Sequence, residues 1–445
     1  MLAMVLGYFS RSASAVLAAG NHILHSGEFY PWHYRLLGIG KPVYPITGEV
    51  DPEYKQVKDV FKQHFDEGRE VGASVCVYSN GAKVSELYGG YSNYEKAEFY
   101  SKETLQVVFS VSKVIEAIAI ARLVEKGLLK YESTIASIWP EFGAGGKENV
   151  TLADLMRHEA GVGYLKDPMP TMDDIMDRDR LARILASQEH LHGGKNVRSY
   201  HAVTRGWILN EVVRRVDPQE RTLGQIYQDE FNTIPGVEFH LGLSPENEVR
   251  RAKWEGYPAA DMLLLMCVPA LAGKRGENNF PMVAMKAGSP LRCLMKMMSS
   301  MGKDFENSAA FSKFEAPSSN GFTNASSLAK LGAILAAGGT LGEDKLMSRA
   351  ALDYALGEEI TAFDNCICVE STMTRGGFGV FKLEEVAMDT KFYGWPGMGG
   401  SILVFNLDYK FSFSYVMNAQ HISILVGCRA RRLLVAAFTA HVASS

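Results

Sequence analysis

The chain has 445 residues, 47% hydrophobic and 22% charged, an ordinary globular mixture that can bury a large core in two or three lobes. A formal net charge of −4 argues against nucleic acid as a partner, and no apolar run reaches the roughly 18 residues of a membrane-spanning helix. The six cysteines, Cys76, Cys267, Cys293, Cys366, Cys368 and Cys428, lack CxxC or His-Cys spacing. They read as reduced core thiols of an intracellular protein.

Residues 1–27 hold no acidic group, one arginine (Arg11) and two short apolar runs. A mitochondrial-type presequence or a short amphipathic anchor is the expectation there, with contact to a membrane or a partner. Pro, Gly and Tyr concentrate from Tyr30 to Thr47, so residues 1–48 read as an N-terminal arm and 49–445 as the folded domain. A charged amphipathic helix is expected over Pro52 to Gly68, with Val57, Val60, Phe61 and Phe65 on one face. Two strand patterns then flank Asn80-Gly81, a dipeptide suited to a type I′ hairpin turn.

Leu105 to Phe109 is an apolar run rich in β-branched residues; Ser110 follows, and Lys113 stands one helical turn further on. Positions i and i+3 share a helix face, so the hydroxyl and the amine can meet. From Val114 to Val124 the only charged residues are Glu116 and Arg122, which predicts a helix buried on most of its circumference. Burial lowers the pKa of a lysine, and that is how an amine becomes a general base near neutral pH. Two rival SxxK matches exist, Ser300 to Lys303 and Ser327 to Lys330. The first lies in a Met-rich polar stretch and the second begins a helix with no expected strand before it.

Gly127 closes the Ser110 helix, and Trp139-Pro-Glu-Phe with Gly143-Ala-Gly-Gly-Lys reads as a loop. Thr151-Leu-Ala-Asp fits a capping box for a short helix ending near His158 and Gly161. Residues 165–192 look acidic and helical, and Ser199-Tyr200-His201-Ala202 leads into a helix from Trp207 to Val216 that Pro218 stops. The methionines between Leu263 and Ala310 suggest a plastic core or pocket wall. A helix is expected from Ala325 to Ala337, ended by Gly338-Gly339. Strand patterns return at 377–383, 392–395, 400–405 and 411–417, the last two as an antiparallel pair, and a final helix covers about 429–441.

Strands at both ends and helices between them give an α/β (α+β) fold class: one antiparallel sheet assembled from both chain ends, flanked by helices. The α/β lobe spans about 49–125 and 325–445, and a mostly helical insertion lobe spans about 126–324.

Several segments in order, Phe109-Ser-Val-Ser-Lys, Leu155-Met-Arg-His-Glu-Ala-Gly, Tyr200-His-Ala-Val-Thr-Arg-Gly-Trp, Pro317-Ser-Ser-Asn-Gly and Trp395-Pro-Gly-Met-Gly-Gly-Ser, resemble the serine β-lactamase-related superfamily. Class C β-lactamases and family VIII carboxylesterases are the most similar branches, over roughly residues 50–440. The resemblance implies a β-lactamase/transpeptidase-like fold in which Ser110 is the acylated nucleophile, Lys113 its proton acceptor and Tyr200 a second base and relay. It also implies an oxyanion site made by the N–H groups of Ser110 and Met398, on a strand end where Gly397 permits close approach.

Two departures shape the expected specificity. Ala202 stands where a β-lactamase has a substrate-binding Asn, and Trp395 stands where it has Lys or His to hold a carboxylate. The esterase branch, with a Tyr-His-Ala second motif and a Trp-containing third motif, is more similar. His201 is grouped with Met398, Trp395 and Gly397 as an oxyanion or substrate-binding candidate; its plainer reading, shared with His158, is a loop-fixing residue.

The expectation is therefore a serine hydrolase without metal or cofactor, acting on small carboxylic esters or amides. An alternative is a catalytically retired scaffold or accessory subunit of a larger, mitochondrial assembly, suggested by the N-terminal arm and the Met-rich stretch. Either reading leaves oligomer formation open.

Overall fold

The computed structural model describes residues 43–166, 170–256, 289–290, 292–293, 296, 304–383, 390–420 and 428–444. The candidate presequence at 1–27, most of the N-terminal arm, most of the Met-rich stretch and the Ser300 to Lys303 match lie outside them. Two thiols, Cys76 and Cys366, are buried, and Cys293 and Cys368 are partly exposed. Among the described residues no helix is long and apolar enough to cross a membrane.

Strands β1 (Ile46–Val50), β2 (Gly72–Ser79), β3 (Ala82–Asn93) and the short β4 (Glu98–Phe99) come from the N-terminal end. Two-residue strands β5 (Gln106–Val107), β6 (Phe239–His240) and β7 (Phe322–Thr323) form a separate small sheet, and β8 (Thr340–Leu341) pairs with β9 (Asp344–Lys345). The C-terminal end supplies β10 (Ile360–Asp364), β11 (Val369–Met373), β12 (Gly379–Lys382), β13 (Lys391–Pro396), β14 (Ile402–Asn406) and β15 (Phe411–Met417). The main sheet has ten strands in the order β1-β3-β2-β15-β14-β13-β12-β11-β10, with β4 on β3, and every pairing is antiparallel. The join between chain ends is β2 on β15, registered Val77 to Phe413.

Local chemistry explains several elements. Asn80 and Gly81 carry φ of 51° and 82°, the left-handed pair a type I′ turn needs. Thr151 and Asp154 cap each other's backbone amides at the start of the Leu152–Met156 helix. The end of the stretch read as an arm forms β1, an edge strand on β3. Strands β10 and β11 and the Arg349–Leu356 helix were not expected. In β10 both Ile360 and Phe363 are exposed, so the edge lacks the inward-apolar alternation by which strands are recognised.

Helices cover both faces of the main sheet. Successive residues of a strand point to opposite faces. Phe411 packs on Phe438 of the C-terminal helix Cys428–Ser444 at 5.2 Å, while Ser412 Oγ donates to Ala329 O of the Ala325–Ala336 helix at 2.9 Å. The second helix lies so close to the sheet that a Cβ on Gly332 would fall 2.2 Å from Ser412 Oγ. The small sheet does a different job: β5 pairs with β7, and Val108 N donates to Gly321 O at 2.9 Å, which pins the 317–323 segment to the chain just before Ser110.

Candidate active site

The strand before Ser110 is shorter than its composition suggests. After β5 the chain turns through a 3-10 segment, Phe109–Val111, that runs directly into the helix Ser112–Glu125. Phe109 carries φ of 45°, a conformation that costs a non-glycine residue roughly 1–2 kcal/mol. Its ring packs 4.7 Å from Trp254 in the core, and that burial offsets the strain. The helix is buried almost all round, Glu116 included.

Ser110, Lys113 and Tyr200 come together. Ser110 Oγ lies 2.6 Å from Tyr200 Oη and 3.4 Å from Lys113 Nζ. Lys113 Nζ also donates to Ala202 O at 2.7 Å and Ser318 O at 3.0 Å. Desolvation, opposed by Glu116 and reinforced by Arg205, holds the Lys113 pKa well below the usual amine range. A neutral amine has two N–H groups and one lone pair. In that form both N–H groups would go to the two carbonyls and the lone pair would face the Ser110 hydroxyl. Burial pushes Tyr200 up to about 12 against the opposing effect of its hydrogen bonds to Ser110 Oγ and from Trp395 Nε1, so at neutral pH it is a phenol.

The segment carrying Tyr200 is clamped from both sides. Tyr200 N donates to Asp364 Oδ1 at 3.1 Å, and the same oxygen accepts from Cys366 N and Ile367 N. Ser199 N donates to His158 O at 3.0 Å, and His201 N donates to His158 Nδ1 at 3.2 Å. Arg198 bonds Glu159 at 2.7 Å and Ile360 O at 2.9 Å. Asp364 and Arg198 escaped the sequence reading, because their contacts join segments far apart in the chain.

His201 is not brought to the substrate side. It is fully buried; Nδ1 donates to Ser199 O at 2.6 Å and Nε2 accepts from Val162 N at 3.1 Å. Both ring nitrogens are used by backbone, the imidazole is neutral, and burial pulls its pKa to about 3. His158 is likewise buried and held well below its usual value by desolvation, its ring edge-on to Tyr200 at 4.8 Å.

Trp395, near the end of β13, stacks on Tyr200 at 5.8 Å, and its Nε1–H lies 3.4 Å from Tyr200 Oη. A Cβ on Gly397 would fall 2.3 Å from Val108 O, so the chain around Met398 runs tight against the Ser110 turn. Gly399 and Gly400, with φ of 86° and 121°, complete the turn into β14. The fully buried Arg429 of the C-terminal helix donates to Gly399 O at 3.1 Å and Ala419 O at 2.6 Å, and pairs with Glu70 at 2.8 Å. Trp254, which the sequence did not single out, backs the same turn against Phe109.

The serine and lysine of the rival at Ser327 have other partners. A strand, β7, does precede its helix, yet Ser327 Oγ accepts Glu238 N at 2.9 Å and Lys330 pairs with Asp344 at 2.6 Å. Serine and lysine there serve the backbone and a partly buried ion pair.

Comparison with known proteins gives a consistent result. The Beta-lactamase family model matches residues 57–437. The Esterase/beta-lactamase LipL of Mycobacterium tuberculosis is 28% identical over 315 residues, 68% of this chain and 67% of that protein. A family VIII carboxylesterase structure has a TM-score of 0.76 at 28% identity, covering 89% of this chain and 100% of its own. A penicillin-binding protein homolog from Caulobacter crescentus gives a TM-score of 0.75 at 28% identity, with the same coverage. The chain belongs to the β-lactamase family and is a serine hydrolase of the β-lactamase type.

Proposed function

We propose that the protein hydrolyses small, uncharged carboxylic esters, and amides of similar size, through an acyl-enzyme at Ser110. Lys113 Nζ takes the hydroxyl proton as Oγ attacks the acyl carbon. The oxyanion sits between the amides of Ser110 and Met398, neither of which donates to a backbone carbonyl among the described residues. Two such donors contribute a few kcal/mol, about 3 each, to transition-state stabilisation. On collapse the C–O bond breaks, the Tyr200 phenol gives its proton to the leaving alcohol, and the Lys113 ammonium restores it. Water repeats the sequence in reverse, giving the acid and free Ser110.

The observation that carries this reading is the set of partners at Lys113: Nζ reaches two carbonyls and Ser110 Oγ, so an amine that has lost its proton spends both N–H groups on the carbonyls and turns its lone pair to Ser110. Trp395 supports the preference for uncharged esters, since an indole at that position offers an apolar wall and no cation for a carboxylate. The words esterase and carboxylesterase in the names of the relatives agree with it. The test is a fluorophosphonate probe together with p-nitrophenyl butyrate and an anionic cephalosporin. Labelling at Ser110 and ester turnover far exceeding lactam turnover are expected, both lost in Ser110→Ala. A wild-type protein that neither labels nor turns over ester would overturn the reading.

A further inference from the structure

Two charged side chains that the chemistry above does not use lie directly behind Lys113. Glu116 and Arg205 are both fully buried, and Arg205 Nε donates to Glu116 Oε2 at 3.0 Å. The remaining guanidinium donors reach Met156 O at 3.1 Å and the carbonyl of Lys113 itself at 2.9 Å. Both oxygens of Glu116 accept from Ser318 Oγ, at 2.8 and 2.9 Å. The carbonyl of that same Ser318 is one of the two that hold Lys113 Nζ, at 3.0 Å. The contacts therefore close a ring: from the Lys113 amine through Ser318, Glu116 and Arg205 back to the Lys113 backbone. Three segments meet in it: the nucleophile helix, the Thr204–Val216 helix and the 317–320 loop. It is closely fitted, since a Cβ on Gly206 would fall 2.4 Å from Ser318 N and 2.6 Å from Glu116 Oε1.

A buried ion pair is expensive to desolvate, and apolar side chains of similar volume often match or exceed it in stability. Its place behind the reacting amine calls for another reason. We propose that Glu116 and Arg205 are positioning residues for the general base, holding the Ser318 carbonyl and the Lys113 backbone so that the amine's lone pair faces Ser110, with their opposite charges balanced at Nζ. This rests on Lys113 being the base of the proposed hydrolysis. The carboxylate favours the ammonium form of Lys113, and the guanidinium favours the free amine. The other titratable groups around the amine add little charge at neutral pH: Tyr200 is a phenol, and His158 and His201 are neutral.

The signs separate a tuning role from a merely structural one. Below its own pKa Lys113 is protonated and inactive, so the acid limb of kcat reports it. Glu116→Gln removes the charge that favours the ammonium, and the limb moves to lower pH by about one unit. Arg205→Met removes the opposing charge, and the limb moves to higher pH by about one unit. Arg205→Lys keeps the charge but cannot make the three-way fork: the limb stays near the wild-type position while kcat falls about 10²-fold at unchanged KM. The double variant Glu116→Met/Arg205→Met, net neutral and apolar, guards against a failure to fold in the singles, and its limb returns toward wild type.

The experiment measures kcat and KM for p-nitrophenyl butyrate across pH, and in parallel the pH dependence of Lys113 acetylation by acetic anhydride, read by peptide mass spectrometry. Opposite displacements for Glu116→Gln and Arg205→Met in either readout support the proposal. Superimposed profiles, with activity following only thermal stability, overturn it. The acetylation readout needs no turnover, so failure of the hydrolase reading and failure of this one are told apart.

Discussion

Burial acts on Lys113 and Tyr200 in opposite senses, drawing the amine's pKa down and pushing the phenol's up, which fits the division of proton chemistry proposed for them. Replacing Lys113 by Arg, which stays protonated, or by Met should lower kcat by roughly 10²–10⁴-fold with the fold intact, as steady-state kinetics and circular dichroism would check. The same depressed amine has a cost in stability. The unfolded chain binds a proton at lysine up to a pH of about 10.4 and the native chain gives it up at lower pH, so stability rises with pH between those two values and is lost as pH falls. His201, at about 3 in the fold, has the same sign lower down: its contribution is full above about pH 6.5 and fades as acid approaches the native value. Calorimetry between pH 6 and 9 should therefore give a melting temperature that climbs more steeply for wild type than for Lys113→Met; equal slopes would count against a neutral Lys113.

At the scale of elements, the site depends on how closely the end of β13 approaches the Ser110 turn. Gly397→Ala would place a methyl group 2.3 Å from the Val108 carbonyl, a backbone atom with no room to yield. A drop in kcat of about 10²-fold is expected, because the oxyanion donors are displaced. Gly332→Ala makes an equally tight clash, 2.2 Å from Ser412 Oγ, but at a helix–sheet contact. That change should cost about 1–3 kcal/mol in urea unfolding and leave the kinetics of the folded fraction unaltered. Arg429 belongs with Gly397: it holds Gly399 O and Glu70 together, so Arg429→Met should lower both stability and kcat.

Elements signalled by a few adjacent residues were legible beforehand. Asn80-Gly81, the Thr151 capping box and the glycines after Ala337 each act within a turn of chain. Strands β10 and β11 were not legible, because at a sheet edge their pairing, and not an apolar stripe, makes them strands. Asp364 shows the consequence. It looks like a turn residue, and only the pairing of β10 with β11 delivers its carboxylate to the Tyr200 amide.

Over the whole molecule, the sheet is closed by β2 on β15, so neither chain end can complete its core alone. Phe438 of the C-terminal helix packs on Phe392 and Phe411, and Arg429 of the same helix reaches the Gly399 turn. Deleting residues 428–445 should abolish the cooperative unfolding transition and fluorophosphonate labelling together; a truncated chain that still labels at the wild-type rate would show that the helix is dispensable.

By itself the sequence determined the α/β architecture, the pairing of Ser110 with Lys113 and the indole at 395, because periodicity, helical spacing and side-chain identity are local properties. The tertiary structure decided the protonation states and the company each group keeps. Tyr200 meets Ser110 across 90 residues, and Ser318 meets Glu116 across 202. His201 turned from a substrate-side candidate into a backbone strut. Burial and long-range hydrogen bonds set those outcomes, and neither exists until the distant segments have packed.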